Sequence, residues 1–135
     1  GNPHCVVPVE KLDLAQVHRL GPQIERHPLF PKRTNVQLVE VVDRKTLRIG
    51  IWERGAGFTL ASGSSSCAAA SVMRKLGRVG DRVSVRMPGG ELQIAFSGDF
   101  QVSMRGPVHK IATLTLDEDC FAGGAGLFTG STPAA

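Results

Sequence analysis

Trp52-Glu53-Arg54-Gly55-Ala56-Gly57-Phe58-Thr59-Leu60-Ala61-Ser62-Gly63-Ser64-Ser65-Ser66-Cys67-Ala68-Ala69-Ala70 is the stretch on which the fold turns. It reads as the end of a strand, a glycine-rich turn and the start of a helix. Gly55 and Gly57 let the backbone turn tightly. Ala69, Val72, Met73 and Leu76 recur at i, i+3, i+4 and i+7, which predicts a helix with one buried face. Gly77 is its expected stop. The first N–H groups of a helix have no intrahelical acceptor and carry partial positive charge. The small residues Ser62 to Ser66 let an anion approach them closely. The stretch is therefore expected to be a carboxylate-binding helix start, with Ser62 as a reactive position on its rim.

Upstream, Thr46 to Trp52 alternates, with Leu47, Ile49 and Ile51 on one side and Thr46, Arg48 and Gly50 on the other. That is a strand with one buried face. Asn35 to Val42 is β-rich and Asp43-Arg44-Lys45 is turn-like, so a hairpin delivers Trp52 into the central turn. Before it, Cys5 to Val9 reads as a short strand. Asp13 to Glu25 reads as a helix with Asp13 as N-cap, interrupted or restarted at Gly21-Pro22 because proline removes a donor. His27 to Pro31 is a loop. Downstream, Val83, Val85 and Met87, then Leu92, Ile94 and Phe96, then Val102 and Met104 give period-2 strands. Ile111 to Leu116 gives a last one. The expected class is α+β: a curled, mostly antiparallel sheet or barrel around a central helix. One domain spans 1–116, and 117–135 is expected to be a flexible Gly/Ala-rich tail, with Leu127 and Phe128 among its few apolar residues.

At 135 residues and 41% hydrophobic content the chain has the makings of one globular core. No apolar run reaches the ~18 residues of a membrane span, and no leader is expected before the polar N-terminus. The net charge of +4 is mild. Arg74, Lys75, Arg78, Arg82 and Arg86 lack interleaved aromatics, so no nucleic-acid or membrane partner is expected. Cys5, Cys67 and Cys120 form no Cys-x-x-Cys pair, and the histidines at 4, 18, 27 and 109 lack metal-ligand spacing. A reducing, cytoplasmic setting without metal is expected. No Gly-Lys-Ser/Thr ending or dinucleotide fingerprint follows the turn, which argues against a nucleotide.

Gly1-Asn2-Pro3-His4-Cys5-Val6, Gly21-Pro22-Gln23-Ile24-Glu25, His27-Pro28, Phe30-Pro31, Thr34-Asn35-Val36, Trp52-Glu53-Arg54-Gly55-Ala56-Gly57 and Met104-Arg105-Gly106-Pro107 together closely resemble the second half of diaminopimelate epimerase. The resemblance covers Gly1 to Leu116 in order. It implies one of two similar domains that face each other across an active-site cleft. It implies no cofactor and no metal, and a small amino acid as the substrate. It further implies inversion at an α-carbon by two cysteines, one from each domain. Carried over by position, Asn2, Asn35, Glu53 and Arg54 bind the substrate. Gly63 and Ser64 offer amides to its carboxylate. His4 and Glu53 tune the catalytic groups, with Ser62 at the position of the family's catalytic cysteine. The expected partner is the other domain or a second copy in a homodimer.

Two positions depart from the family pattern. Ser62 stands in an Ala-Ser-Gly sequence where the family has Ala-Cys-Gly, and Phe58 stands where a glutamate is usual. A helix-start cysteine can reach a thiolate pKa of roughly 3.5–7.5, whereas a serine without a neighbouring base stays protonated. Two-base epimerisation is therefore expected to be lost or impaired. The alternatives are a non-catalytic amino-acid-binding paralogue, or a one-base lyase or dehydratase. Cys67, more than a turn into the helix, is expected to be structural, and so is Cys5 in its strand.

Overall fold

Trp52 ends a strand that is covered on both faces. The structure, a computed structural model, describes residues 1–121. Leu127, Phe128 and most of the expected tail lie outside them. In chain order the elements are β1 (His4–Val9), α1 (Leu14–Glu25), β2 (Asn35–Asp43), β3 (Thr46–Glu53), β4 (Gly57–Thr59), α2 (Gly63–Lys75), β5 (Arg82–Met87), β6 (Gly90–Ser97) and β7 (Gln101–Arg105). A single 3-10 turn follows at Glu118–Cys120.

The strands form one seven-stranded sheet in the order β1-β2-β3-β5-β6-β7, with β4 also paired to β3. β1 joins β2 in parallel through α1, and β5 joins β3 in parallel through α2. The other pairs are antiparallel. The sheet curls around α2, which packs against β1, β2, β3, β5, β6 and β7. It stays open, with β1 and β7 as its edges.

The core lies between the sheet and α2. Leu47, Ile49 and Ile51 of β3 meet Ala69, Ala70 and Met73 of α2, with Val83, Val85 and Ile94 beside them. Each such large side chain contributes roughly 1.5–3 kcal/mol on burial. α1 covers the other face of β3. A Cβ on Gly50 would lie 2.4 Å from Val17 Cγ2, and one on Gly21 would lie 2.5 Å from the Trp52 ring. Of Thr46, Arg48 and Gly50 on that face of β3, only Arg48 is exposed; Gly50 is covered by Val17 of α1, and Thr46 is buried.

α1 is one continuous helix through Pro22, not the broken or restarted helix that Gly21-Pro22 suggests. An interior proline costs ~3 kcal/mol, but Val17, Gly21 and Glu25 are buried against the sheet, and that packing holds the helix together. Asp13 caps it, accepting from the Ala15 amide at 2.9 Å.

α2 ends at Lys75, so Leu76 is its C-cap and is 56% exposed rather than part of the buried face. Gly77 adopts a φ of +69°, and Arg78 N–H closes the end on the Met73 carbonyl. Ile111 to Leu116 forms no strand and is exposed throughout. β7 ends at Arg105, just before Gly106-Pro107, and no described strand pairs with the segment beyond them. No helix among the described residues is long and apolar enough to cross a membrane.

Candidate functional site

The parallel register of β1 and β2 places His4 opposite Asn35, which brings the two asparagine motifs together. Asn35 Nδ2 donates to Asn2 Oδ1 at 2.7 Å and to the Pro3 carbonyl at 2.9 Å. Asn35 Oδ1 accepts from the Arg54 amide at 2.9 Å. Asn2, Asn35 and the first residue of the turn after β3 are thus one bonded unit. The Arg54 guanidinium is anchored on the Lys32 carbonyl at 3.2 Å. Gly1, Asn2, Pro3, Lys32 and Arg54 line a shallow depression of about 430 Å³.

The turn itself is braced from beneath. Gly55 and Gly57 adopt φ of +81° and +82°, a region that L side chains avoid. Glu25, buried at the end of α1, accepts from Gly55 N–H at 3.1 Å through Oε1 and from Trp52 Nε1 at 2.8 Å through Oε2. These two hydrogen bonds, the Trp52 one foremost, hold its carboxyl below the ordinary value of 4.5 despite its burial. Phe58 in β4 stacks on His18 of α1, with ring centroids 4.5 Å apart. At this position the side chain serves packing under the turn.

His4 is half-buried between these parts. Asn2 Nδ2 lies 3.3 Å from its Nε2 and Gln37 Nε2 lies 3.1 Å from its Nδ1. Burial holds its pKa below 6.5; the Gln37 hydrogen bond and the Glu53 charge pull upward, and Arg54 adds to the lowering. Gln37 also donates to Ser65 Oγ, 3.0 Å away in the first turn of α2. A run of contacts therefore joins Arg54, Asn35, Asn2, His4, Gln37 and the helix start. Glu53 enters this run through its charge on His4 alone.

At the helix start, Ser62 is the N-cap. Its Oγ accepts from Ser65 N–H at 3.5 Å and meets Ser64 Oγ at 3.4 Å, and its carbonyl takes Ser66 N–H. The amides of Gly63 and Ser64 are first-turn donors with no acceptor inside the helix. Ser62 and Gly63 are half-buried and Ser64 is exposed, whereas Ser65 and Ser66 point into the core. The serine run is thus split between the rim and the core. Met104 of β7 covers Gly63, where a Cβ would lie 2.9 Å from its sulfur. A groove of about 290 Å³ runs past Ser62 and Gly63 beside Gly89, Gly90 and Pro107.

Burial pushes the Cys5 and Cys67 thiols above their ordinary range, so neither carries the thiolate character a carbon base needs. Two residues of this arrangement, Gln37 and Glu25, have no role in the sequence reading. The signal for Gln37 is a lone amide within the apolar run of β2; a polar group taken into a core needs a partner.

The fold is shared with part of PhzF family structures. A phenazine biosynthesis protein PhzF family structure from Enterococcus faecalis superposes with a TM-score of 0.57 at 15% identity, over 72% of this chain and 35% of that one. One from Clostridium difficile does so at 0.58 and 14%, over 73% and 36%. The chain belongs to the diaminopimelate epimerase family: the family model matches residues 1–111. It is 49% identical over 122 residues to diaminopimelate epimerase 2 of Nostoc sp., covering 90% of this chain and 43% of that one. It is 48% identical over 112 residues to the Azotobacter vinelandii diaminopimelate epimerase, covering 82% and 41%. It therefore spans less than half the length of these curated relatives.

Proposed function

We propose that this chain is one half of a cofactor-independent amino-acid epimerase that acts on diaminopimelate, interconverting the LL and meso forms for lysine and peptidoglycan precursor synthesis. The observation that carries this reading is the bonded unit of Asn2, Asn35 and the Arg54 amide, tied through His4 and Gln37 to the start of α2. Polar donors and acceptors at one end and free helix-start amides at the other suit a zwitterion with two polar heads. In this reading Asn2, Asn35, Glu53 and Arg54 hold the distal end, and the Gly63 and Ser64 amides hold the reacting α-carboxylate. His4 and Glu53 set the charge around the reacting groups. The other half of the cleft comes from the remaining length of the family, or from a second copy.

Ser62 sets the limit on chemistry. Its hydroxyl is used as a helix cap, and among the described residues no base hydrogen-bonds to it. It can orient or donate, but it is a poor acceptor of a carbon-bound proton, so turnover is impaired with serine in place. The test is Cα–H exchange in deuterated water with diaminopimelate, in a protein carrying this chain with its other half. Exchange is expected to be slow with Ser62 and to rise by about 10²-fold or more in Ser62→Cys, the range a placed base supplies. Rapid exchange with Ser62 in place overturns the reading. The capped hydroxyl also favours a second reading, a binding module that kept the pocket and lost the base. Calorimetric binding of diaminopimelate without exchange in either variant distinguishes it.

A further inference from the structure

Leu60, Ala61 and Ser62 carry the chain from β4 to α2. They belong to neither a strand nor a helix, so the place where the Gly63 and Ser64 amides stand depends on what this link rests on. Its upstream end is fixed by the pairing of β4 to β3. Beyond that it lies on the turn between β5 and β6. Gly89 N–H donates to the Leu60 carbonyl at 2.7 Å. A Cβ on Gly89 would lie 2.9 Å from that oxygen, 3.0 Å from the carbonyl carbon and 2.9 Å from Ala61 Cβ. Two of these three atoms are backbone and cannot swing aside as the end of a side chain does. Gly89 has no positive φ, unlike Gly90 at +138°. Its missing side chain therefore serves the close approach and not the bend. The turn is a stiff support: Pro88 fixes its own φ, and Met87 pairs with Gly90 across the hairpin. Met104 meets Gly63 from β7, but there the near atoms are the thioether sulfur and methyl of a flexible side chain. The start of α2 is thus held by a rigid backbone contact on one side and a soft one on the other.

We propose that Gly89 is a positioning residue for the carboxylate end of the site: its bare backbone is the stop that places the Leu60–Ala61 link and, through it, the first-turn amides of α2. The β5–β6 turn then belongs to the site, although Pro88, Gly89 and Gly90 carry no polar side chain. A methyl group at position 89 pushes the link away and tilts the donors, and hydrogen bonds weaken steeply as they bend. Ser65 and Ser66 are buried and keep the body of α2 in place, so the displacement falls on its rim. The inference rests on the proposed function in taking Gly63 and Ser64 as the carboxylate donors; the position of their amides is measurable without any ligand.

The experiment compares Gly89→Ala with Gly80→Ala in a protein carrying this chain with its other half. Gly80 also donates its N–H to a carbonyl, that of Arg44 at 2.9 Å, but a Cβ there would lie 3.8 Å from the oxygen, an ordinary contact. Amide 1H–15N spectra without ligand are expected to show the Gly63 and Ser64 signals moved in Gly89→Ala and unmoved in Gly80→Ala. Calorimetry is expected to show diaminopimelate bound about tenfold more weakly by Gly89→Ala, the worth of one hydrogen bond to a charged group, and equally well by Gly80→Ala. Adding Ala61→Gly to Gly89→Ala removes one of the three close atoms and is expected to return part of both effects. If Gly89→Ala does not fold, the double variant is read in its place. Unmoved Gly63 and Ser64 signals in the folded variant overturn the proposal. So does an unaltered affinity where the unsubstituted protein binds. An unsubstituted protein that binds no diaminopimelate overturns the proposed function, and the ligand-free amide signals then decide on Gly89 alone.

Discussion

Glu25 is the residue whose loss the site turn should feel most. Its two oxygens take the Trp52 indole and the Gly55 amide, and the Arg33 guanidinium lies 3.6 Å away. Glu25→Gln leaves one of the two donors facing an NH₂ group. We expect about 1–3 kcal/mol of destabilisation at pH 7, read by urea unfolding followed through Trp52, the one tryptophan in the chain. The carboxyl is held below its ordinary 4.5. The stability it contributes is therefore complete above that value and lost as pH falls through the lowered folded-state value. The gap between Glu25→Gln and the unsubstituted protein should accordingly close in acid; a gap that stays constant from pH 7 to pH 3 contradicts the brace. Neither this residue nor Gln37 is legible as a brace in sequence. Each acts on a group 27 or 28 positions away, and no local pattern encodes such a pairing.

At the scale of elements, the close approach of α1 to β3 depends on two glycines. Gly21→Ala adds a methyl group that would meet the Trp52 ring at 2.5 Å. Alanine is the better helix former by about 1 kcal/mol, but overpacking of this kind costs about 1–3 kcal/mol, and the ring is pinned by Glu25. Net destabilisation is expected, measured as a lower urea midpoint with unchanged m-value. The β2–β3 hairpin and α2 are plain in the sequence, because alternation and the 3.6-residue period act over neighbours. The unbroken α1 is not plain, because Pro22 follows a local rule that tertiary packing overrides. The parallel β3–β5 pairing is hidden for a related reason: α2 carries the chain over the sheet before β5 returns to it. The Asn2–Asn35 pairing is likewise legible only through the resemblance, since the register of β1 against β2 is set by the α1 crossover.

At the scale of the whole molecule, the described surface carries an unmatched stretch. Val108, Ile111, Leu114 and Leu116 are 61% exposed or more, on or beside the segment that the sequence predicts as a last strand. Under the proposed function this segment pairs with the other half of the cleft. Amides of residues 108–116 should exchange within seconds to minutes in this chain alone and become protected by at least about 10²-fold once the other half is present, a difference of ~2.7 kcal/mol in opening. Fast exchange in both states contradicts that pairing. A further consequence lies at the opposite margin of the sheet. β1 is hydrogen-bonded to one neighbour only, yet it carries Asn2 and His4 on or just before its first turn of chain. Peeling this single border strand would dismantle the polar cluster and leave the Leu47–Met73 interior standing. Ligand occupancy should therefore act like a clasp on the amino-terminal ribbon, and a protease sampling that ribbon should be slowed by ligand well before any gain in global melting temperature becomes visible.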